Sequence, residues 1–275
     1  MSLQDHYYSI DSQDNGNAPH SHEEKARIAK EKADAKRRRI IAIAAPIVVA
    51  CTAFVIVLTT LIIPGQKNHT AALSEAEIGS YVFFGSYEQD NDTSNGKEDI
   101  EWIVLAKEDN RALVISRYVL DCRLYDPSMS EVTWETCALR EWLNGPFLDA
   151  FSAEEQNSIL DTTVTADRNP SFGTPPGNDV TDKVFLLSIT EVNRYFDSDK
   201  ARKCEPTDYA KAQGVWISSS RFTGGEAAIW WLRSPGHLSD HAALVLYDGV
   251  VNIEGRGVFN ILGGVRPALW IDLEP

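Results

Sequence analysis

The sequence predicts an α+β domain held outside a membrane by a single transmembrane helix. Three observations predict it. Segment 40–63 is apolar throughout and carries no charge. Beyond it, short β-branched segments alternate with turns rich in Asn, Asp and Gly. Among those segments, Ser152 and Ser188 each precede a glutamate by three residues, Glu155 and Glu191. That is the spacing of a capping box, which opens a helix.

Residues 1–39 read as a cytoplasmic tail. Residues 1–22 are polar and disordered, whereas 23–39 are rich in Ala, Lys, Arg and Glu and favour a helix. A helix over 40–63 is roughly 36 Å long, enough to cross a hydrocarbon core of about 30 Å. Lys25, Arg27, Lys30, Lys32, Lys36, Arg37, Arg38 and Arg39 precede it, and Lys67 alone follows closely. Cationic flanks stay inside, so the C-terminal part is expected outside the cell. A cleaved signal peptide has a shorter apolar region, of about 7–15 residues, and a small-residue cut site that is not clear here. Cys51 ends a stretch like a lipoprotein cleavage site, but the apolar run continues past it. Residues 64–77 form a linker, and the outer domain is expected over 78–275.

Within that domain, 81–87 reads as a strand, 90–96 as a polar turn, and 100–106 with 112–116 as a hairpin. Leu139, Trp142 and Leu143 have helical spacing over 136–144, and Gly145-Pro146 stops that helix. Ser152 opens a second helix. Residues 167–182 read as loop, 184–187 as a strand, and Ser188 opens a third helix through Tyr195. A further helix is possible over 207–213, and the rest reads as strands and loops.

Charge and cysteines narrow the function. The net charge is −14, and residues 1–63 are close to neutral, so the outer domain carries nearly all of it. Such a surface repels phosphates, which excludes nucleic acid as a partner. Cys122, Cys137 and Cys204 cannot all pair internally, and no Cys/His spacing implies zinc. Asp90, Asp92 and Glu101 fall at the first, third and twelfth positions of a calcium loop. The glycine is displaced to Gly96 and Lys97 replaces an apolar residue, so the segment reads as a solvated turn. No cofactor motif is present.

Two motifs stand out, Trp230-Trp-Leu-Arg-Ser-Pro-Gly236 and Gly264-Val-Arg-Pro-Ala-Leu-Trp270. With Asp99-Ile-Glu-Trp102, Tyr118-Val-Leu-Asp-Cys122, Thr133-Trp-Glu-Thr-Cys137, Leu139-Arg-Glu-Trp-Leu143, Asp182-Lys-Val-Phe-Leu-Leu-Ser188 and Ala201-Arg-Lys-Cys204, they resemble a large bacterial family of domains of unknown function. That family is similar to C-type-lectin-like domains, in the branch shared with formylglycine-generating enzymes. The catalytic cysteine pair and metal ligands of that enzyme match no positions here, so the resemblance does not bring its activity. Relatives often carry a cysteine where this chain has Ala228, which leaves the partner of Cys204 open. Between the motifs, many relatives resemble variable proteins of diversity-generating retroelements. The resemblance implies a display surface on 237–263, with His237, Leu238, Asp240, His241, Leu244, Leu246, Tyr247, Val250, Ile253, Glu254, Arg256, Phe259 and Ile261 as ligand contacts.

The residues offer a separate argument. Asp248-Gly249 marks a hairpin turn. A three-residue loop over 247–249 pairs Val245 with Val251 on the inner face and turns Leu244, Leu246 and Val250 outward. A two-residue loop puts Leu244, Leu246, Val251 and Ile253 on one face as core. Trp230, Trp231 and Trp270 read as core, and Arg233 and Arg266 as structural donors. His237, Asp240 and His241 have the chemistry of metal ligands or of a base with its orienter, but nothing adjacent in sequence completes a site. The expected function is therefore a membrane-anchored, extracellular binding protein without enzymatic activity, its partner a surface protein or glycan. The alternatives are an enzyme of the formylglycine-generating branch and a structural envelope protein.

Overall fold

The computed structural model describes Arg27, Lys30 and Glu31, then residues 73–274 except Met129, 219–225 and 260–262. The chain divides into two units, Met1–Gln66 and Lys67–Pro275, and the fold below belongs to the second. That fold corrects the expected class. Strands dominate it. One five-stranded sheet has the order β1-β2-β3-β14-β7, and a second the order β12-β11-β10-β13-β4, with β4 (Asp121–Arg123) at its far edge. The α-helices are short and lie mainly between the strands of the two sheets in sequence: α1 (Ala138–Leu143), α2 (Ala153–Ser158), α3 (Ile189–Tyr195), α4 (Asp199–Arg202) and α5 (Asp208–Ala212). The domain is thus predominantly β rather than α+β. The expected transmembrane helix finds no support either. No helix among the described residues is long and apolar enough to cross a membrane, and segment 40–63 lies outside them.

The first sheet is built from local pairings. β1 (Tyr81–Tyr87) pairs antiparallel with β2 (Glu98–Glu108), and β2 with β3 (Arg111–Ser116). The β2–β3 turn holds Asp109 at φ 48°, a left-handed position that Asp tolerates. Glu101 sits in β2 and binds Arg117 at 2.6 Å. β14 (Ala268–Asp272) joins β3 from the far end of the chain, and β7 (Val184–Phe185) closes the edge. Residues 167–182 are not all loop, because β6 (Val180–Asp182) pairs with β5 (Thr162–Val164). Leu73 is already part of the core, upstream of the expected start at 78.

In the second sheet, β10 (Trp230–Pro235) runs between β11 (His241–Val245) and β13 (Gly263–Val265). Every residue of β10 is buried. The indole N–H groups still find acceptors. Trp230 donates to the Arg202 carbonyl at 3.2 Å and Trp231 to the Arg123 carbonyl at 3.0 Å. Gly263 permits the close approach of β13, since a Cβ there would fall 2.3 Å from the Trp231 ring nitrogen. The chain then crosses to the first sheet through Arg266 and Pro267. Arg266 is 1% exposed and donates to the Ser116 carbonyl at 3.0 Å. Its guanidinium lies 4.9 Å from the Trp230 ring centroid.

Both expected capping boxes form. Ser152 and Glu155 cap α2, and Ser188 and Glu191 cap α3. Glu191 does more than cap. Its carboxylate forms a two-pronged pair with Arg233 of β10, one prong at 2.9 Å. Arg233 also donates to the Leu186 carbonyl at 2.9 Å, and its side chain is only 2% exposed. Removing one partner of a buried pair leaves an uncompensated charge. Glu191→Gln keeps the size of the cap and removes the charge. It should lower the unfolding free energy by about 3 kcal/mol, read by urea denaturation. A loss under about 1 kcal/mol, the size of an ordinary surface pair, would show that Arg233 does not depend on it.

Candidate functional site

The hairpin of β11 and β12 (Val251–Gly257) carries most of the expected contact residues. Val245 pairs with Val251. The Leu246 amide donates to the Val250 carbonyl, and the Gly249 amide to the Leu246 carbonyl, both at 2.9 Å. The loop is therefore the three-residue form, 247–249. Gly249 takes φ +89°, the left-handed position of such a loop. Its missing side chain has a second use. A Cβ there would fall 1.7 Å from the Asp199 carbonyl oxygen, at the start of α4. Arg202 of α4 donates to the Gly249 carbonyl at 3.0 Å. The tip is thus pinned to the domain.

Register alone does not settle exposure. Leu244 was expected to face outward, yet it is 1% exposed and belongs to the core. Ala242 to Val245 are buried in succession, so both faces of β11 are covered. Leu246, Ile253 and Phe259 are partly buried and pack against the core. His237, Leu238, Val250, Glu254 and Arg256 are exposed. Ile261 lies outside the described residues.

The remaining residues fall into two groups at opposite ends of the hairpin. With five residue steps from His241 to Leu246 at roughly 3.3 Å each, the ends are on the order of 17 Å apart. At the tip, the Tyr247 ring lies 5.0 Å from the Trp216 ring, with Val250 nearby in the chain. Trp216 is 51% exposed and Val250 41%. At the other end, the turn after β10 brings His237, Leu238, Asp240 and His241 beside Glu254. The His237 ring packs 6.0 Å from Phe172 and 4.6 Å from His241, measured between centroids. The sequence did not point to Trp216 or Phe172. Both come from distant segments, and no local pattern marks their ring contacts with the hairpin.

Elsewhere the chemistry is muted. Cys122, Cys137 and Cys204 are free and buried. Burial pushes the thiols of Cys122 and Cys137 up to about 12, and raises that of Cys204 although Arg266 opposes it. Thiolate nucleophiles are disfavoured at all three. The Ala228 amide donates to the Cys204 carbonyl at 2.8 Å, so position 228 lies against Cys204. Glu88, Asp90 and Glu98 bring carboxylate oxygens within 4.8 Å of one another. Desolvation, then the charges of Glu98 and Asp90, raises Glu88 above the ordinary carboxylate range. A cavity of about 320 Å³ beside Cys122 is lined by Arg123, Leu139 and Trp142. Another, of about 390 Å³, is lined by Ile78, Tyr195 and Phe196. Neither is lined by hairpin residues.

Exposure separates packing from display along the hairpin. Leu244→Ala should destabilise the domain by about 2–5 kcal/mol, the range for buried leucines. Val250→Ser should stay within about 0.5 kcal/mol of the parent. Urea denaturation of the two variants checks this, and equal losses would mean that the tip is packing too.

No curated protein and no solved structure matches the chain. A family described as a domain of unknown function, DUF6273, matches residues 109–273. The match takes in both tryptophan motifs, the hairpin between them and all three buried cysteines. It covers more than half of the sequence, and the chain belongs to this family of domains of unknown function.

Proposed function

We propose that the domain is a non-enzymatic binding module whose contact surface centres on the hairpin tip, with a surface protein or a glycan as ligand. One observation carries this reading. Trp216 and Tyr247 form an aromatic pair at a fixed tip, and Trp216 and the tip residue Val250 are both exposed. Aromatic side chains offer large apolar area with few rotamers, and they anchor recognition surfaces. The pinning of Gly249 to α4 supports it, because a pre-ordered surface loses less entropy on binding. The negative charge argues against nucleic acid. The buried, poorly ionised thiols argue against the cysteine chemistry of an enzyme. The resemblance to diversified C-type-lectin-like display domains accords with the surface as well. Val250, Glu254 and Arg256 are exposed and can change at small expense in stability.

The test is a panel of arrayed glycans and displayed peptides selected on the full chain, then re-measured on Trp216→Ala/Tyr247→Ser. Binders should lose at least about tenfold in affinity, equivalent to about 1.4 kcal/mol. Binders that ignore the double substitution, or a panel that yields none, would sink the proposal. Urea denaturation of the variant confirms that it remains folded.

A further inference from the structure

We propose that His237 and His241 form a site for a divalent transition-metal ion such as Zn2+, at the end of the hairpin away from the tip. The inference does not rest on the binding role of the tip. It rests on how the two imidazoles are held. The turn after β10 is closed by the Gly236 amide on the His241 carbonyl at 2.7 Å and by the His241 amide on the Leu238 carbonyl at 3.0 Å. The two histidines thereby face each other, with ring centroids 4.6 Å apart and planes at 73°.

Hydrogen bonding then sets the tautomers. His237 Nδ1 lies 2.8 Å from the Glu254 carbonyl oxygen. A carbonyl only accepts, so Nδ1 carries the proton. His241 Nδ1 lies 2.6 Å from Asp240 Oδ1, a carboxylate, and donates in the same way. In each neutral ring the lone pair is therefore on Nε2. Neither Nε2 has a hydrogen-bond partner among the described residues.

This is the arrangement that metal-binding histidines use. One nitrogen donates to a carbonyl or carboxylate, which fixes the ring and raises the basicity of the other. Zn2+ binds such nitrogens at about 2.0–2.1 Å. Water completes the coordination. The net charge of −14 raises the local concentration of cations. In this site His237 and His241 are ligands, while Asp240 and the Glu254 carbonyl are positioning groups.

The experiment is calorimetric titration of the full chain with Zn2+. His6, His20, His22 and His69 also occur in the chain, so the readout is the difference between variants. His237→Ala/His241→Ala should lose one Zn2+ equivalent relative to the parent. Asp240→Asn should retain that equivalent but weaken it by about 10–100-fold, the effect of removing an orienting partner. Circular dichroism checks the fold of each variant. A double variant that binds as many ions as tightly as the parent overturns the proposal, as does a parent that binds none. If the double variant fails to fold, 15N-histidine NMR of the parent decides. Zn2+ should shift the Nε2 resonances of His237 and His241, and unmoved resonances overturn the site.

Discussion

The buried pair between Arg233 and Glu191 holds the two halves of the domain in register. Arg233 belongs to the central strand of the second sheet, and Glu191 to the helix that follows β7 of the first. A guanidinium at 2% exposure is stable only when its charge is matched and its donors are filled. Glu191 gives the two-pronged partner, Asp167 adds a carboxylate at 4.0 Å, and the Leu186 and Thr165 carbonyls take further donors. The same carboxylate caps its own helix through the Ser188 amide at 2.9 Å. One side chain thus ends a strand-to-helix turn and docks the second sheet. An amphipathic contact could slide by a residue, whereas a bidentate pair cannot.

The second tryptophan motif solves a different problem. It carries the chain from one sheet to the other, and its arginine has no carboxylate partner among the described residues. Arg266 is held by the Ser116 carbonyl and by the faces of Trp230 and Phe196. Burial pulls its pKa below the ordinary arginine value, although it stays a cation. The long, distinctive motifs are therefore scaffold. Their tryptophans, arginines and glycines fill the interior and leave no reactive group at the surface. The exposed side chains of this region lie in the chain between them and in the segment at Trp216.

That intervening chain is shaped by the scaffold rather than free of it. β11 is covered on both sides, so only its two ends and the outer edge β12 present side chains. The tip is apolar and aromatic, and the other end is rich in imidazole and carboxylate. Two chemistries about a hairpin's length apart on one rigid element are well placed to work independently.

Local rules were legible in the sequence. The capping boxes at Ser152 and Ser188, the β2–β3 hairpin, the three-residue loop at Gly249 and the burial of Trp230 and Trp231 all follow from residues within a few positions of one another. Such interactions close over short loops, and the sequence carries both partners in one window. The extent of helix and the exposure of Leu244 did not follow. Each depends on which distant segment packs on a given face, and alternation cannot reveal a strand covered on both sides. The pairing of Trp216 with Tyr247, of Arg233 with Glu191 and of His237 with His241 was settled only by the tertiary structure. The physical reason is that propensity and capping act along the chain, whereas burial, ion pairing and ring contact act through space.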